Sequence, residues 1–297
     1  MARTEEAMMS QPYLIYTDLS ADVAPEIVEK YDIRLIPMGY TVGDEERVSD
    51  HFEGPEALHA FYQAQRDGKA TRTTQVPPQG YKDALSPLLK EGAHILYLSL
   101  SGGLSGTYAT SCLMAEQLNE KYPQGKLVSV DSLAATAGMG MLLEAAGENR
   151  EAGMSLEENA AWLEANRLRV CHWFMVDDLM YLKRGGRVSA TTAIMGTALN
   201  IKPILKIEND GTLSTFAKKR GIKSAVAQLT DYYAENRDPA SDRVYIVHAD
   251  APERAEQLKE NVLVINPNAK ISTVFLCPVI GSHVGPGMCA VVHWGKR

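Results

Sequence analysis

No C-x-x-C pair occurs in this chain. Its four cysteines, Cys112, Cys171, Cys277 and Cys289, are scattered, which is neither a disulfide framework nor a zinc-ligand spacing and fits a reducing compartment. No run approaches the roughly 18 apolar residues that a membrane span needs. The first eleven residues are polar and contain no apolar h-region, so no secretory signal is expected. Basic charge is also in deficit. A net charge of −7 argues against nucleic-acid binding driven by phosphate neutralisation and against a surface that clings to acidic lipids. A cytoplasmic protein without stable membrane insertion is expected. The histidines His51, His59, His94, His172, His248 and His293 show no ligand spacing, so no metal is expected.

What is present is an alternation of strands and helices. Strands are expected over 13–17, 33–40, 95–100 and 126–130. Helices are expected from Pro25 and over 54–66, 81–90, 107–120, 134–150 and 156–166, with a polar connector over 71–78. This rhythm indicates a parallel sheet covered by helices on both faces, a three-layer αβα domain over 12–168. The helix over 134–146, with Met139, Met141, Leu142 and Leu143, reads mostly as core, although methionines are flexible gap-fillers that could also conform to an apolar ligand.

After about Leu168 the pattern changes. A strand over 171–176, a helix over 178–183 and a helix over 190–199 precede a hairpin, 204–207 and 213–218, around Asn209-Asp210-Gly211. A helix over 223–235, a strand over 244–247, a helix over 252–261 and strands over 270–275 and 288–294 follow. A hairpin inside an α/β pattern implies a mixed sheet, so residues 169–297 read as a second α/β domain.

The stretch Ser101-Gly102-Gly103-Leu104-Ser105-Gly106-Thr107 joins a strand to a helix. Glycines allow tight turning and close backbone approach, and the unpaired amides of a helix N-terminus favour an anion. No Lys follows, so the phosphate-cradling pattern G-x-x-x-x-G-K-S/T is absent. Ser105 is followed directly by Gly106, so there is no G-x-S-x-G elbow either. The remainder suits one carboxylate; the alternative is a plain turn with Ser105 as N-cap.

Six segments in order carry a resemblance. They are Thr17-Asp18 with Ser20-Ala21-Asp22; Thr73-Thr74-Gln75; Ser101 to Tyr108; Arg184-Gly185-Gly186-Arg187-Val188-Ser189; Asn200-Ile201-Lys202-Pro203-Ile204-Leu205; and Val279 to Gly287. Together they resemble the DegV family of bacterial fatty-acid-binding proteins, which includes the acyl-carrying B subunit of fatty acid kinase. The likeness runs from about Tyr13 to Trp294. It implies two α/β domains, a long-chain fatty acid buried between or within them, and a carrier that is not itself an enzyme and needs no cofactor. A separate fatty acid kinase catalytic subunit is the implied partner, with its product entering phospholipid synthesis.

Carried over by position, the resemblance implies that the carboxylate meets the hydroxyls of Thr73 and Ser105 and the amide of Gly106, with Thr74 beside them. Arg187 and His283 are implied behind the head group or at the kinase-facing mouth. The family pattern Thr-Ser-Gln-Pro-Ser is here Thr73-Thr74-Gln75-Val76-Pro77, and Gly102 stands where a second serine is usual. Thr74 keeps a hydroxyl, whereas Gly102 removes a donor.

Arg187 follows two glycines and opens the helix expected at 190, where a cation opposes the helix dipole. A partner is therefore expected, either a bound anion or a carboxylate such as Asp177 or Asp178. His283, between Gly281 and Gly285, is expected in a loop outside the core. Asp18, at a strand's carboxyl end, is read as the cap of the next turn. Two readings from the enzyme class stand beside the carrier: a dihydroxyacetone-like kinase or phosphotransfer subunit, and a hydrolase with Ser105 as nucleophile. The first lacks a nucleotide motif and the second lacks the elbow.

Overall fold

A computed structural model describes residues 12–49, 53–189 and 200–297. The polar leader 1–11, His51 and the helix expected over 190–199 lie outside the described residues.

Strands β1 (Tyr13–Asp18), β2 (Ile33–Ile36), β6 (His94–Ser99) and β7 (Lys126–Asp131) form an all-parallel sheet in the order β2-β1-β6-β7. One face carries Tyr16, Ile95, Tyr97 and Leu127 and is covered by α3 (Pro78–Lys90) and α4 (Thr107–Lys121) through Tyr81, Leu85, Leu89, Met114 and Leu118. The other face carries Ile15, Leu96, Leu98 and Val130 and packs on α5 (Ala137–Glu151) and α6 (Leu156–Asn166). These are the three layers expected from the alternation.

The expected strand 33–40 breaks at Pro37. Proline has no N–H to continue a ladder, and the chain leaves the parallel sheet there. Met38–Val42 (β3) then forms a second, antiparallel sheet with β4 (Glu45–Ser49) and β5 (Thr71–Thr73), in the order β4-β3-β5. The β3–β4 connection is the two residues Gly43-Asp44, with Gly43 at φ 62. Gly-Asp between two pairing runs is a hairpin signal that the charged composition of β4 conceals. The connector 71–78 is thus partly a strand: β3 offers its free edge, and polar Thr71-Arg72-Thr73 pairs there.

The second sheet of the expected architecture is mixed. It contains β8 (Val170–Met175), β9 (Ile201–Ile207), β10 (Leu213–Arg220), β11 (Arg243–His248), β12 (Lys270–Phe275) and β13 (Cys289–Trp294), in the order β10-β9-β8-β13-β11-β12. Within this sheet β11 and β12 pair parallel, and the other described neighbours pair antiparallel. Side chains alternate between faces. Cys171, Trp173, Met175 and Val291 meet α8 (Ile222–Asn236) and α9 (Pro252–Ile265) on the outer face. Phe174, Ala290 and Val292 turn inward to the core that also holds α5.

This explains the character of α5, in which every residue from Ala137 to Gly147 is buried. A helix apolar on all sides must be covered on all sides. It lies between the two sheets, and Met139, Met141, Leu142 and Leu143 are core. The helix α7 (Met180–Arg184) follows β8. The glycine-rich segment expected as a loop folds as α10 (Pro278–Val284), with Pro278 in its first turn. Gly281 lets this helix lie directly on the Tyr62 side chain of α2 (Pro55–Arg66), where any Cβ would collide with the phenol oxygen.

Candidate functional site

A cavity of about 170 Å³ opens between the inner face of the mixed sheet and the loops at the carboxyl ends of β6 and β7. Its walls are apolar: Phe174, Ile207, Val279, Val284, Ala290 and Val292 line most of it. Its other surface is polar, and all six expected residues, Thr73, Thr74, Ser105, Gly106, Arg187 and His283, line the same cavity. They come from four separate segments of the chain.

Thr73 closes β5, and the register Tyr40↔Thr73 aims it at the cavity. Thr74 N–H donates to the Gly39 carbonyl at 3.0 Å, and its hydroxyl leans on the same oxygen at 3.4 Å. Gln75 also lines the cavity and was not expected there, although it stood in the quoted motif. Its amide crosses in front of Gly106 so closely that a Cβ on Gly106 would strike Oε1, and its Nε2 donates to Thr110 Oγ1 at 3.1 Å.

Ser105 serves two purposes. Its Oγ accepts the Thr107 N–H at 3.2 Å and lies 2.9 Å from the Thr107 hydroxyl, so it closes a turn just ahead of α4, whose N-cap is Gly106 and not Ser105, while it also lines the cavity. The rest of the glycine turn is structural. Ser101 is buried, donates to the Gly211 carbonyl at 2.8 Å and accepts the Gly103 N–H at 3.1 Å, clamping the β9–β10 hairpin onto the turn. A Cβ on Gly103 would stand 2.6 Å from the Gly211 carbonyl carbon. At Gly102 a Cβ would stand 2.9 Å from an Asp131 oxygen, and the Gly102 N–H donates to that carboxylate at 3.1 Å. The missing serine at 102 is thus matched by a carboxylate occupying its space.

Arg187 is half-buried. Its Nε donates to the Leu104 carbonyl at 2.9 Å, and a terminal nitrogen donates to the Gly185 carbonyl. Neither expected carboxylate reaches it. Asp177 is held by Lys202 at 2.6 Å and Arg254 at 2.9 Å, and Asp178 accepts the Met180 N–H. Arg187 therefore has carbonyl partners and no counter-charge among the described residues, and burial pushes its pKa below the usual arginine value. A cation held this way attracts an anion from the cavity.

His283 is not in an exposed loop. It sits in the last turn of α10, where its Nε2 lies 2.8 Å from Thr73 Oγ1 and Gly185 clears room for its Nδ1 edge. Burial, with Arg187 adding to it, pushes its pKa down to about 4, so the ring is neutral at physiological pH. Asp18 is away from the cavity: it accepts the Ser20 N–H at 3.0 Å and the Tyr97 hydroxyl at 2.9 Å, a turn role in line with the cap reading. Among the described residues, no group of three or more His, Cys, Asp or Glu side chains could hold a metal ion. No described helix is long and apolar enough to cross a membrane.

The family model described as "Uncharacterised protein, DegV family" matches residues 13–296. A DegV domain-containing protein of Clostridium perfringens is 36% identical over 284 residues, covering 95% of this chain and 97% of its own. A DegV family protein from Thermus thermophilus, solved as a fatty-acid-binding protein, is 29% identical with a TM-score of 0.80, over 95% of this chain and 99% of that one. The Streptococcus pneumoniae Fatty Acid Kinase (Fak) B3 protein, solved loaded with linoleic acid, has a TM-score of 0.82 at 21% identity, over 96% and 99% of the two chains, a likeness of fold. The chain belongs to the DegV family.

Proposed function

We propose that this protein binds a long-chain fatty acid in the cavity and presents its carboxylate to a separate fatty acid kinase catalytic subunit, itself performing no chemistry. One observation carries the reading: hydroxyl, amide, imidazole and guanidinium groups from four segments converge on a cavity whose walls are mostly apolar. An acyl chain entering it gains about 0.8 kcal/mol per buried CH₂. Thr73 and Ser105 hydroxyls with the Gly106 amide hold the carboxylate by charge-assisted hydrogen bonds. Arg187 stands near enough to compensate its charge without a tight ion pair, which leaves the carboxylate oxygens able to attack a phosphoryl donor bound elsewhere.

The chain contains no nucleotide motif, so ATP belongs to the partner. Such a carrier works where ATP is, in the cytoplasm, in keeping with four cysteines that are all unbridged. We read 12–168 and 169–297 as its two domains, joined through the core around α5. Native mass spectrometry of the purified protein tests the reading: a retained fatty acid supports it. A protein that neither carries nor takes up any fatty acid, or that turns over ATP alone, overturns it.

A further inference from the structure

A hydroxyl has one proton to give and two lone pairs to fill, so its partners decide where the proton points. At Ser105 the partners are few. Among the described residues its Oγ meets only Thr107, and meets it twice: it accepts the Thr107 N–H at 3.2 Å and lies 2.9 Å from the Thr107 hydroxyl. The second contact can be donated from either side, and burial decides which.

Thr107, the first residue of α4, is fully buried, whereas Ser105 is half-buried and lines the cavity. A proton on a hydroxyl shut off from water needs an acceptor inside the protein. The Thr107 hydroxyl has one such oxygen in reach among the described residues, Ser105 Oγ. If Ser105 donated instead, the Thr107 proton would be buried without an acceptor, a penalty that rotating the two hydroxyls removes. Thr107 is therefore the donor. Its N–H and O–H together fill both lone pairs of Ser105 Oγ, and the Ser105 proton, which no described residue accepts, is left for the cavity.

Thr107 is itself held from behind. Its carbonyl accepts the Tyr81 hydroxyl at 3.1 Å, the Tyr81 and Tyr97 hydroxyls stand 3.1 Å apart, and Tyr97 donates to the buried Asp18 at 2.9 Å. Both phenols are fully buried. The pair of donors is thus mounted on a packed base and not on a free turn.

We infer that Thr107 is a positioning residue of the head-group site: by donating both its N–H and its O–H to Ser105 Oγ, it makes the Ser105 hydroxyl an obligate donor to the carboxylate of a bound fatty acid. This rests on the carrier reading above and adds the residue that sets the polarity of its site. A serine free to rotate offers an anion a lone pair as readily as a proton, whereas this one is organised in advance to offer the proton. Thr107 does not line the cavity, so its effect on binding passes through Ser105.

The test is palmitic acid binding to delipidated wild type, Thr107→Val, Thr107→Ser, Ser105→Ala and the double variant Ser105→Ala/Thr107→Val. Valine keeps the shape of threonine and removes the hydroxyl, so Thr107→Val should weaken binding by about tenfold, the order of one hydrogen bond to a charged group. Thr107→Ser keeps the donor and should bind like wild type. In the Ser105→Ala background the valine should cost nothing further, whereas a residue that only supports the fold would cost the same in both backgrounds. Thr107→Ala removes the same hydroxyl and is read in the same way if the valine variant folds poorly. Binding that is unchanged or tighter in Thr107→Val, the result if Ser105 were the donor, overturns the inference, and so does an equal loss in both backgrounds. A wild type that binds no palmitic acid overturns the carrier reading and this inference with it.

Discussion

Thr73 Oγ1 and His283 Nε2 lie 2.8 Å apart across 210 residues of sequence. The contact ties the end of β5 to the last turn of α10, so the polar part of the cavity depends on both halves of the chain. Because burial keeps His283 neutral, it can donate through Nε2–H and leave the Thr73 hydroxyl proton for a carboxylate. A charged imidazole next to Arg187 would instead add repulsion.

Ser105→Ala should lower fatty-acid occupancy while the fold persists. A lost hydrogen bond to a charged group costs about 1.5–3 kcal/mol in binding. The same hydroxyl accepts the Thr107 N–H at the start of α4, so a stability loss of about 1 kcal/mol should accompany it. Occupancy by native mass spectrometry, read beside the melting temperature, separates the two effects. Unchanged occupancy removes Ser105 from the head-group site.

Arg187→Ala should impair acyl-phosphate formation more than lipid retention. The tail supplies most of the binding energy, whereas the guanidinium offsets charge that grows on phosphorylation. Removing a half-buried cation that lacks a counter-charge should also leave the melting temperature level or higher. The assay uses lipid-saturated wild type and variant with a fatty acid kinase catalytic subunit. A variant with normal turnover that purifies without lipid assigns Arg187 to binding instead.

Gly103→Ala should destabilise the protein by about 1–3 kcal/mol, because the new methyl must displace the backbone of the β9–β10 turn. The hairpin and the glycine turn share the Ser101 clamp, so lipid occupancy should fall as well. Denaturant unfolding measures the first effect and mass spectrometry the second. A stable, fully loaded Gly103→Ala protein refutes the clamp.

Asp22→Asn should flatten the dependence of stability on pH. Burial pushes the Asp22 pKa up from 3.8 to about 7, while Oδ1 accepts the Cys277 N–H at 2.9 Å and Oδ2 has no partner among the described residues. Between about pH 4 and 7 the folded chain keeps a proton that the unfolded chain releases, so this group's contribution to stability falls as pH rises. Asparagine keeps the accepting oxygen and cannot ionise. Chemical denaturation at pH 4, 5.5 and 7 should show the variant gaining on wild type by a few kcal/mol toward pH 7. A constant difference across the window counts against a titrating Asp22.

Much of this was legible along the chain. The alternation of apolar runs and helical periods located the parallel sheet, and Asn209-Asp210-Gly211 located the hairpin of the mixed sheet, because these signals are local. The motif order picked out six residues that all line the cavity, though not Gln75 beside them. Other features were concealed for identifiable reasons. β5 looks like a connector because Thr71-Arg72-Thr73 carries no apolar alternation and becomes a strand only against the edge of β3. α10 looks like a loop because its glycines serve close packing on Tyr62 and not turning.

By itself, then, the sequence determined which segments are strands and helices over most of the chain, and which side chains are chemically fit to meet a carboxylate. Tertiary structure alone decided that Thr73, Ser105, Arg187 and His283 share one cavity, and that Asp177 goes to Lys202 and Arg254. The reason is physical. Periodicity and turn chemistry act over a few residues, whereas burial, desolvation and pairing across 100 or 200 residues exist only once the sheets have closed around α5.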